Sequence, residues 1–376
     1  MSATIKESVP DATMITMFKP YVSERVAPAL AEILKTSWIG QGPAVDKVEG
    51  KFEKLFGSFG ALTLNSCTSA LHLALILANV KENDEVITTP MTCSATNMPI
   101  LYEKAKPVFA DIQRLSLNID PKDIKKKLTP KTKAIIVVDW GGEPCDMDEI
   151  LEIAKDAKVS VIEDAAHALG AKYKAKYIGA VSDFTCFSFQ AIKQITTVDG
   201  GILTCKDKDA YKRGKLLRWY GIDRNFKGDI YWKFKVEEAG FKYHMNDVTA
   251  TMLSIQLDDL EKVNSRRREI VKRYRESLNN ISGLTLLEKK PDRESGNWLF
   301  TILVERRDDF TKMLKDNDIE AHMVHVRCDV YPIFGGKRLN LPAMNEVEPK
   351  YVSIPLHQGL TDDEVDKVIK TIKKGW

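Results

Sequence analysis

Residues 133–139, KAIIVVD, and 159–164, VSVIED, are nearly continuous apolar runs that each end in an aspartate, with the amphipathic stretch Met147 to Ala157 between them. Strands that skip the apolar–polar alternation are buried on both faces, the condition of a parallel sheet covered by helices on either side. From residue 60 to 205 short β-rich runs alternate with helical ones, without a fixed-period repeat, which is the signature of an α/β sheet. The pattern predicts strands over Ala61 to Leu64, Glu85 to Thr88, Pro107 to Ala110, Asp183 to Phe189 and Gly201 to Cys205. It predicts helices over Thr68 to Ala78, Ala95 to Glu103 and Pro121 to Lys127, with the short connections of βα units.

After residue 205 the character changes. A Gly- and aromatic-rich segment, Tyr231 to Asn246, precedes a long helical stretch from Asp247 to Asn280. A strand over Trp298 to Val304, a helix over Asp308 to Asp316 and an irregular Pro/Gly-rich region follow. Thr361 and Glu364 then form a capping box that opens a last helix ending at Lys373. This half reads as a smaller α+β domain, with a boundary near residue 250 to 260.

Composition narrows the class. At 376 residues, 44% hydrophobic and 29% charged, the chain is an ordinary globular one with enough length for two domains. Its 56 basic and 53 acidic residues leave a net charge of +3, which points to neither nucleic acid nor a membrane surface. Local basic runs at Lys125 to Lys127 and Arg266 to Arg268 read as solvated helix faces. The six cysteines form no CxxC and no Cys/His ligand spacing, which disfavours zinc and a secreted disulfide framework and suits a reducing cytoplasm. No stretch reaches the ~18 apolar residues of a membrane span, and Met1 to Pro20 lacks the apolar region of a signal peptide.

Three stretches could carry chemistry. Asn65-Ser66-Cys67-Thr68-Ser69-Ala70-Leu71 sets small polar residues between a strand end and a helix start, where free N–H groups and the positive helix end favour an anion; plain N-capping by Thr68 or Ser69 explains them too. Asp164 ends a central strand, where ligands of open α/β sheets collect, and reads either as the partner of a cationic ring nitrogen or as a cap for the next helix. Lys193 lies in a polar loop between two strands ahead of Gly200-Gly201, and is either a nucleophile of lowered pKa or one more exposed lysine. Taken in chain order, the three supply phosphate, ring-nitrogen and aldehyde contacts for pyridoxal phosphate.

With these residues the chain resembles the DegT/DnrJ/EryC1/StrS family, sugar aminotransferases of the aspartate aminotransferase fold, over nearly its whole length. The similarity rests on Ser37-Trp38-Ile39-Gly40-Gln41-Gly42-Pro43 with Val45 and Phe52-Glu53, on the phosphate loop, and on Glu163-Asp164-Ala165-Ala166-His167-Ala168-Leu169-Gly170-Ala171. Ser188-Phe189 five residues ahead of Lys193, Gly141 to Met147, Arg218-Trp219-Tyr220-Gly221 and Gly240 to Asp247 extend it. The resemblance implies a PLP-dependent transferase fold type I. Its large domain, residues 1–255 with an N-terminal helical segment, would hold a mostly parallel mixed sheet flanked by helices, and residues 256–376 the small α+β domain.

Carried over residue by residue, the resemblance makes Lys193 the Schiff-base and proton-moving residue and Asp164 the ring-nitrogen partner. Thr68, Ser69 and Ser188 would bind phosphate, and His167, where the family usually has Gln, would lie beside the ring. Cys93 stands where the family often places a stacking aromatic, a weaker contact for a ring. Lys242 stands where the neighbouring subunit of a homodimer usually supplies an Asn to the phosphate, and His244 where the family has Arg. A subgroup that removes a sugar hydroxyl carries His in place of the lysine, so Lys193 favours amine transfer. The implied reaction takes the amine of L-glutamate to a nucleotide-linked keto sugar, a 4-keto-6-deoxyhexose. Dehydration, amination of a cyclitol, or a silent PLP-binding regulator are the alternatives. His322, His325, Arg327 and Tyr331, in the irregular region, would meet the sugar nucleotide, or are ordinary loop residues.

Overall fold

The structure is a computed structural model and describes residues 14–224 and 234–376. The first thirteen residues of the N-terminal reading and the beginning of the aromatic-rich segment, at Tyr231, lie outside the described residues. After helices α1 (Val26–Lys35) and α2 (Pro43–Phe56), strands and helices alternate: β1 (Gly60–Leu64), α3 (Cys67–Leu77), β2 (Glu85–Thr88), α4 (Ser94–Tyr102), β3 (Lys106–Phe109), α5 (Pro121–Lys127), β4 (Thr132–Val138), α6 (Met147–Ala157) and β5 (Ser160–Asp164). A hairpin, β6 (Lys172–Tyr173) and β7 (Lys176–Tyr177), leads to β8 (Phe184–Ser188), β9 (Gly201–Cys205) and α7 (Lys208–Leu217).

Seven of these strands form one sheet in the order β1-β9-β8-β5-β4-β2-β3. All neighbours are parallel except β9, which runs against both β1 and β8. The two runs that opened the sequence reading are β4 and β5, and successive residues serve opposite faces. Ile135, Val137 and Val161 join a core with α2, α6 and α8, while Ala134, Ile136 and Ile162 join one with α3, α4 and α7. Apolar residues are needed at every position because both faces are covered.

The helical stretch expected over 247–280 is two helices, α8 (Asp247–Asp258) and α9 (Leu260–Ser277). They meet at Asp259, whose carboxylate accepts bonds from Tyr21 Oη (3.0 Å) and Arg25 (2.8 Å) and so ties the break to the N-terminal segment. α9 serves both cores: Leu260 and Val263 pack under the large sheet, Ile270 and Tyr274 under a second one. That second sheet is antiparallel, β10 (Leu284–Leu286), β12 (Phe300–Val304) and β13 (Tyr351–Ile354), with β11 (Arg293–Glu294) pairing instead with the hairpin strand β6. Helices α10 (Arg307–Lys315), α11 (Pro342–Val347) and α12 (Asp362–Lys373) complete it, and the capping box of Thr361 and Glu364 is present. β13 and α11 fall in the region expected to be irregular. Among the described residues no helix is long and apolar enough to cross a membrane, and no group of three or more His, Cys, Asp or Glu is placed to hold a metal.

Candidate active site

The sheet register brings the three chemical stretches to one edge. Ser188 pairs with Gly201 and Gly201 with Leu64, so the ends of β8, β9 and β1 lie side by side at the first turn of α3. A Cβ on Gly201 would stand 2.4 Å from the Ser66 carbonyl carbon and oxygen, so only glycine lets the strand approach that turn. Ser66, not Thr68 or Ser69, caps α3: its Oγ accepts from Ser69 N at 3.1 Å, and the Ser69 hydroxyl donates to Asn65 Oδ1 at 2.7 Å. The N–H groups of Cys67 and Thr68 at the head of the helix have no intrahelical acceptor and face the place where an anion is favoured. Ser188 is buried with its Oγ accepting from Gln190 N at 3.4 Å. Lys242 comes beside the same turn through its backbone, its carbonyl accepting from Asn65 Nδ2 at 3.3 Å, while its side chain is exposed.

Asp164 ends β5, two strands from β9, and is buried. Its Oδ2 accepts from Thr96 Oγ1 at 2.6 Å, its Oδ1 from Ala166 N at 3.1 Å, and the Cys67 sulfur lies 4.0 Å from Oδ1. Burial pushes its pKa up, against the Thr96 and Ala166 bonds and the nearby Lys193 charge. Burial also pushes the Cys67 thiol well up, with the Asp164 charge adding to it.

Lys193 is 9% exposed. Its loop is pinned on both sides, because Trp298 Nε1 donates to the Ile192 carbonyl (2.9 Å) and Gln194 Nε2 to the His167 carbonyl (2.7 Å). Its Nζ lies 3.7 Å from the centroid of the Trp298 ring. Burial lowers the amine from 10.5 to about 8, with Asp164 and the thiols of Cys67 and Cys93 pulling the other way. Cys93, half-buried at the start of α4, is thus within electrostatic reach of the amine.

Around the amine stands a group of rings. His167 stacks on Trp298 at 3.9 Å and 18°, and His325 lies nearly parallel to both, 6.0 Å and 6.2 Å away. Trp140 meets His167 and His325 edge-on. Burial first and the Lys193 charge second hold His325 down to about 4, and the same causes, with His325 added, keep His167 well below its usual value. Nδ1 of His167 is buried without a partner among the described residues.

Asp164, Cys93, His167 and His325 therefore lie within electrostatic reach of the Lys193 amine, and Ser188 and the first turn of α3, with Thr68 and Ser69, lie at the neighbouring strand ends. Arg327 does not turn its charge there: its guanidinium is fully buried in a two-pronged pair with Asp329 (2.6 and 2.7 Å) and bonds Asn345 at 2.6 Å. His322 is exposed and bonded to Glu320 at 3.0 Å, and Tyr331 is exposed. Sequence reasoning missed Trp298, Thr96, Trp140 and Gln194. Trp298 was read only as the start of a strand, and no local spacing marks it as a lysine's neighbour.

A buried amine set against a buried carboxylate at the edge of a helix-covered mixed sheet is the architecture of an aminotransferase. The chain belongs to the DegT/DnrJ/EryC1/StrS aminotransferase family, whose model matches residues 20–373. It is 31% identical to the GDP-perosamine synthase of Escherichia coli O157:H7, over 96% of this chain and 98% of that protein. Its fold is that of sugar aminotransferases. The crystal structure of one from Micromonospora echinospora superposes with a TM-score of 0.92 at 32% identity, covering 96% of this chain and all of that one. A Streptococcus pneumoniae protein solved in a PLP form, 28% identical and covering 96% of this chain and 98% of that one, gives a TM-score of 0.90.

Proposed function

We propose that the protein is a pyridoxal-phosphate-dependent aminotransferase that moves the amino group of L-glutamate to a nucleotide-linked keto sugar, a 4-keto-6-deoxyhexose, working as a cytoplasmic homodimer. The observation that carries this reading is the buried Lys193 amine within electrostatic reach of the Asp164 carboxylate, at the edge where α3 begins. The relatives support the sugar and the cofactor: one is a GDP-perosamine synthase, and another was solved in a PLP form.

The residues fit the cofactor. The backbone-to-backbone approach at Gly201, the uncapped N–H groups of α3 and the Ser188 hydroxyl form a cradle for a phosphate. The orphaned His167 Nδ1 is a polar atom in want of a partner beside the rings. Thr68, Ser69 and Ser188 would hold the phosphate with Lys242 adding charge, Asp164 would face the ring nitrogen, and His167 and Cys93 would flank the ring. Pyridoxal phosphate supplies, when bound, an aldehyde that joins to amines and a ring that draws electrons from the adjoining carbon. Lys193 would be the base that moves a proton there, and Asp164 would stabilise positive charge on the ring nitrogen. Trp298 and His167 close the side of the amine to water. His325, inside the pocket, would meet the sugar. Tyr331 and His322 lie further out, and Arg327 would act by fixing their loop through Asp329. The separate sheets support a large domain near residues 1–255 and a small one near 256–376, although α8 crosses that boundary, Leu257, Leu260 and Val263 pack with the large sheet and Ile15 joins the core of the small one.

The test is to incubate purified protein with glutamate and a panel of GDP-, UDP- and dTDP-linked 4-keto sugars and to identify the aminated product by mass. Lys193→Ala should abolish turnover while the protein still folds and retains cofactor noncovalently. Unchanged turnover in that variant refutes the proposal.

A further inference from the structure

A cavity of about 500 Å³ opens between α9, the stretch from Leu287 to Ser295 and the turn from Trp140 to Glu143, and neither Lys193 nor Asp164 lines it. We propose that this cavity is a second binding site, one that takes a small organic anion with an apolar body.

Its wall holds charges of both signs, and most are already answered. Arg293 is paired with Asp146 (2.9 Å) and Asp292 (2.8 Å), Arg268 with Glu261, Glu294 with Lys172 (3.3 Å) and Glu288 with Lys290 (3.8 Å). Three others form no ion pair among the described residues. Arg275 gives one N–H to the Leu287 carbonyl at 3.0 Å and forms no ion pair among the described residues. Lys289 forms none either. Glu143 faces Arg293, Lys289, Arg275 and the Ser295 hydroxyl, yet its Oε1 is buried without a hydrogen-bond partner.

Arg275 and Lys289 have only the Glu143 carboxyl opposite them and no ion pair, so an anion entering the cavity would find charge to pair with. An anionic head would accept from Arg275 and Lys289, while an apolar body would lie along Leu299 and Phe300. Glu143 decides the pH range. Burial first raises its carboxyl to about 7, against the neighbouring cations. Below that pH it is neutral, and above it a charge that repels the head and competes with it for Arg275 and Lys289. Trp140, which lines this cavity, also meets His167 and His325 edge-on.

The site can be read without turnover, so its failure and the failure of the aminotransferase reading are distinguishable. The holoenzyme is titrated with 8-anilinonaphthalene-1-sulfonate, an apolar body carrying one sulfonate, and dye emission is followed at about pH 6 and pH 8. Saturable binding is expected, tighter at the lower pH. The double variant Arg275→Gln/Lys289→Gln should weaken it by about tenfold or more, the loss of charge-assisted bonds. Glu143→Gln should bind equally at both pH values, at the wild-type affinity of the lower one. Dye affinity unchanged in the double variant overturns the proposal. So does a loss of binding in Glu143→Gln equal to that of the double variant, since disturbed packing would act on both alike.

Discussion

In the cofactor-free protein the Lys193 amine should titrate near pH 8, and this sets how fast it captures an aldehyde. Burial carries it from 10.5 to about 8. At pH 7.5 roughly a quarter of such amines are neutral, against roughly one in a thousand for an ordinary lysine, so the nucleophilic fraction rises roughly 200-fold. Mixing cofactor-free protein with pyridoxal phosphate over about pH 6 to pH 11 and following the visible absorbance gives the rate of covalent attachment. That rate should climb about tenfold per pH unit below 8 and level off above it. The same shift acts on stability. The unfolded chain binds the extra proton between about 8 and 10.5, so the folded, cofactor-free state gains stability as pH rises through that window. Below pH 8 the buried charge costs ~3 kcal/mol, which Lys193→Met should recover in urea unfolding at pH 7 but not near pH 11. A capture rate that keeps climbing to pH 10.5, together with no gain from Lys193→Met at pH 7, would refute the reasoning.

Asp164→Asn removes the anion that opposes the burial of Lys193, so the inflection in the capture rate should fall below 8 and turnover by roughly 100-fold or more; an unmoved inflection would show that the two groups do not sense each other. Trp298→Leu removes a cation–π contact of about 0.5–2 kcal/mol and should also move the inflection down, with Trp298→Phe restoring the ring but not the bond to the Ile192 carbonyl. Gly201→Ala drives a Cβ into the Ser66 backbone and should cost about 1–3 kcal/mol in urea unfolding, with weaker cofactor retention on gel filtration. Thr361→Ala, which opens the capping box of α12, should cost ~1 kcal/mol in the same measurement and leave the Lys193 inflection in place.

How legible these features were depends on whether their cause is local. β4 and β5 could be read from the chain because every residue of a strand covered on both faces must be apolar, and that demand is written in consecutive positions. The break between α8 and α9 could not. It is tied to bonds from Tyr21 and Arg25, more than two hundred residues away. β13 is four residues long and joins its sheet through β12, with the hydroxyls of Thr301 and Ser353 bonded at 2.9 Å, so neither partner alone announces it. The site divides in the same way. Lys193, Asp164 and Ser188 stand at strand ends or in the loop between strands, where topology alone directs side chains to the ligand edge. Trp298 reaches the lysine only because the segment before β12 folds back onto the large sheet, its backbone N bonding the Gly141 carbonyl at 2.8 Å. The polar residues from 322 to 331 show how much the missing partner matters. On the page they are alike, yet Asp329 two residues on neutralises Arg327 and takes it out of reach. His325, which pairs with no carboxylate among the described residues, is left within reach of the amine. In an irregular segment, then, what separates a ligand-facing side chain from a structural one is the nearest counter-charge. The Arg-x-Asp spacing at 327–329 carried that signal, and it marked Arg327 as structural.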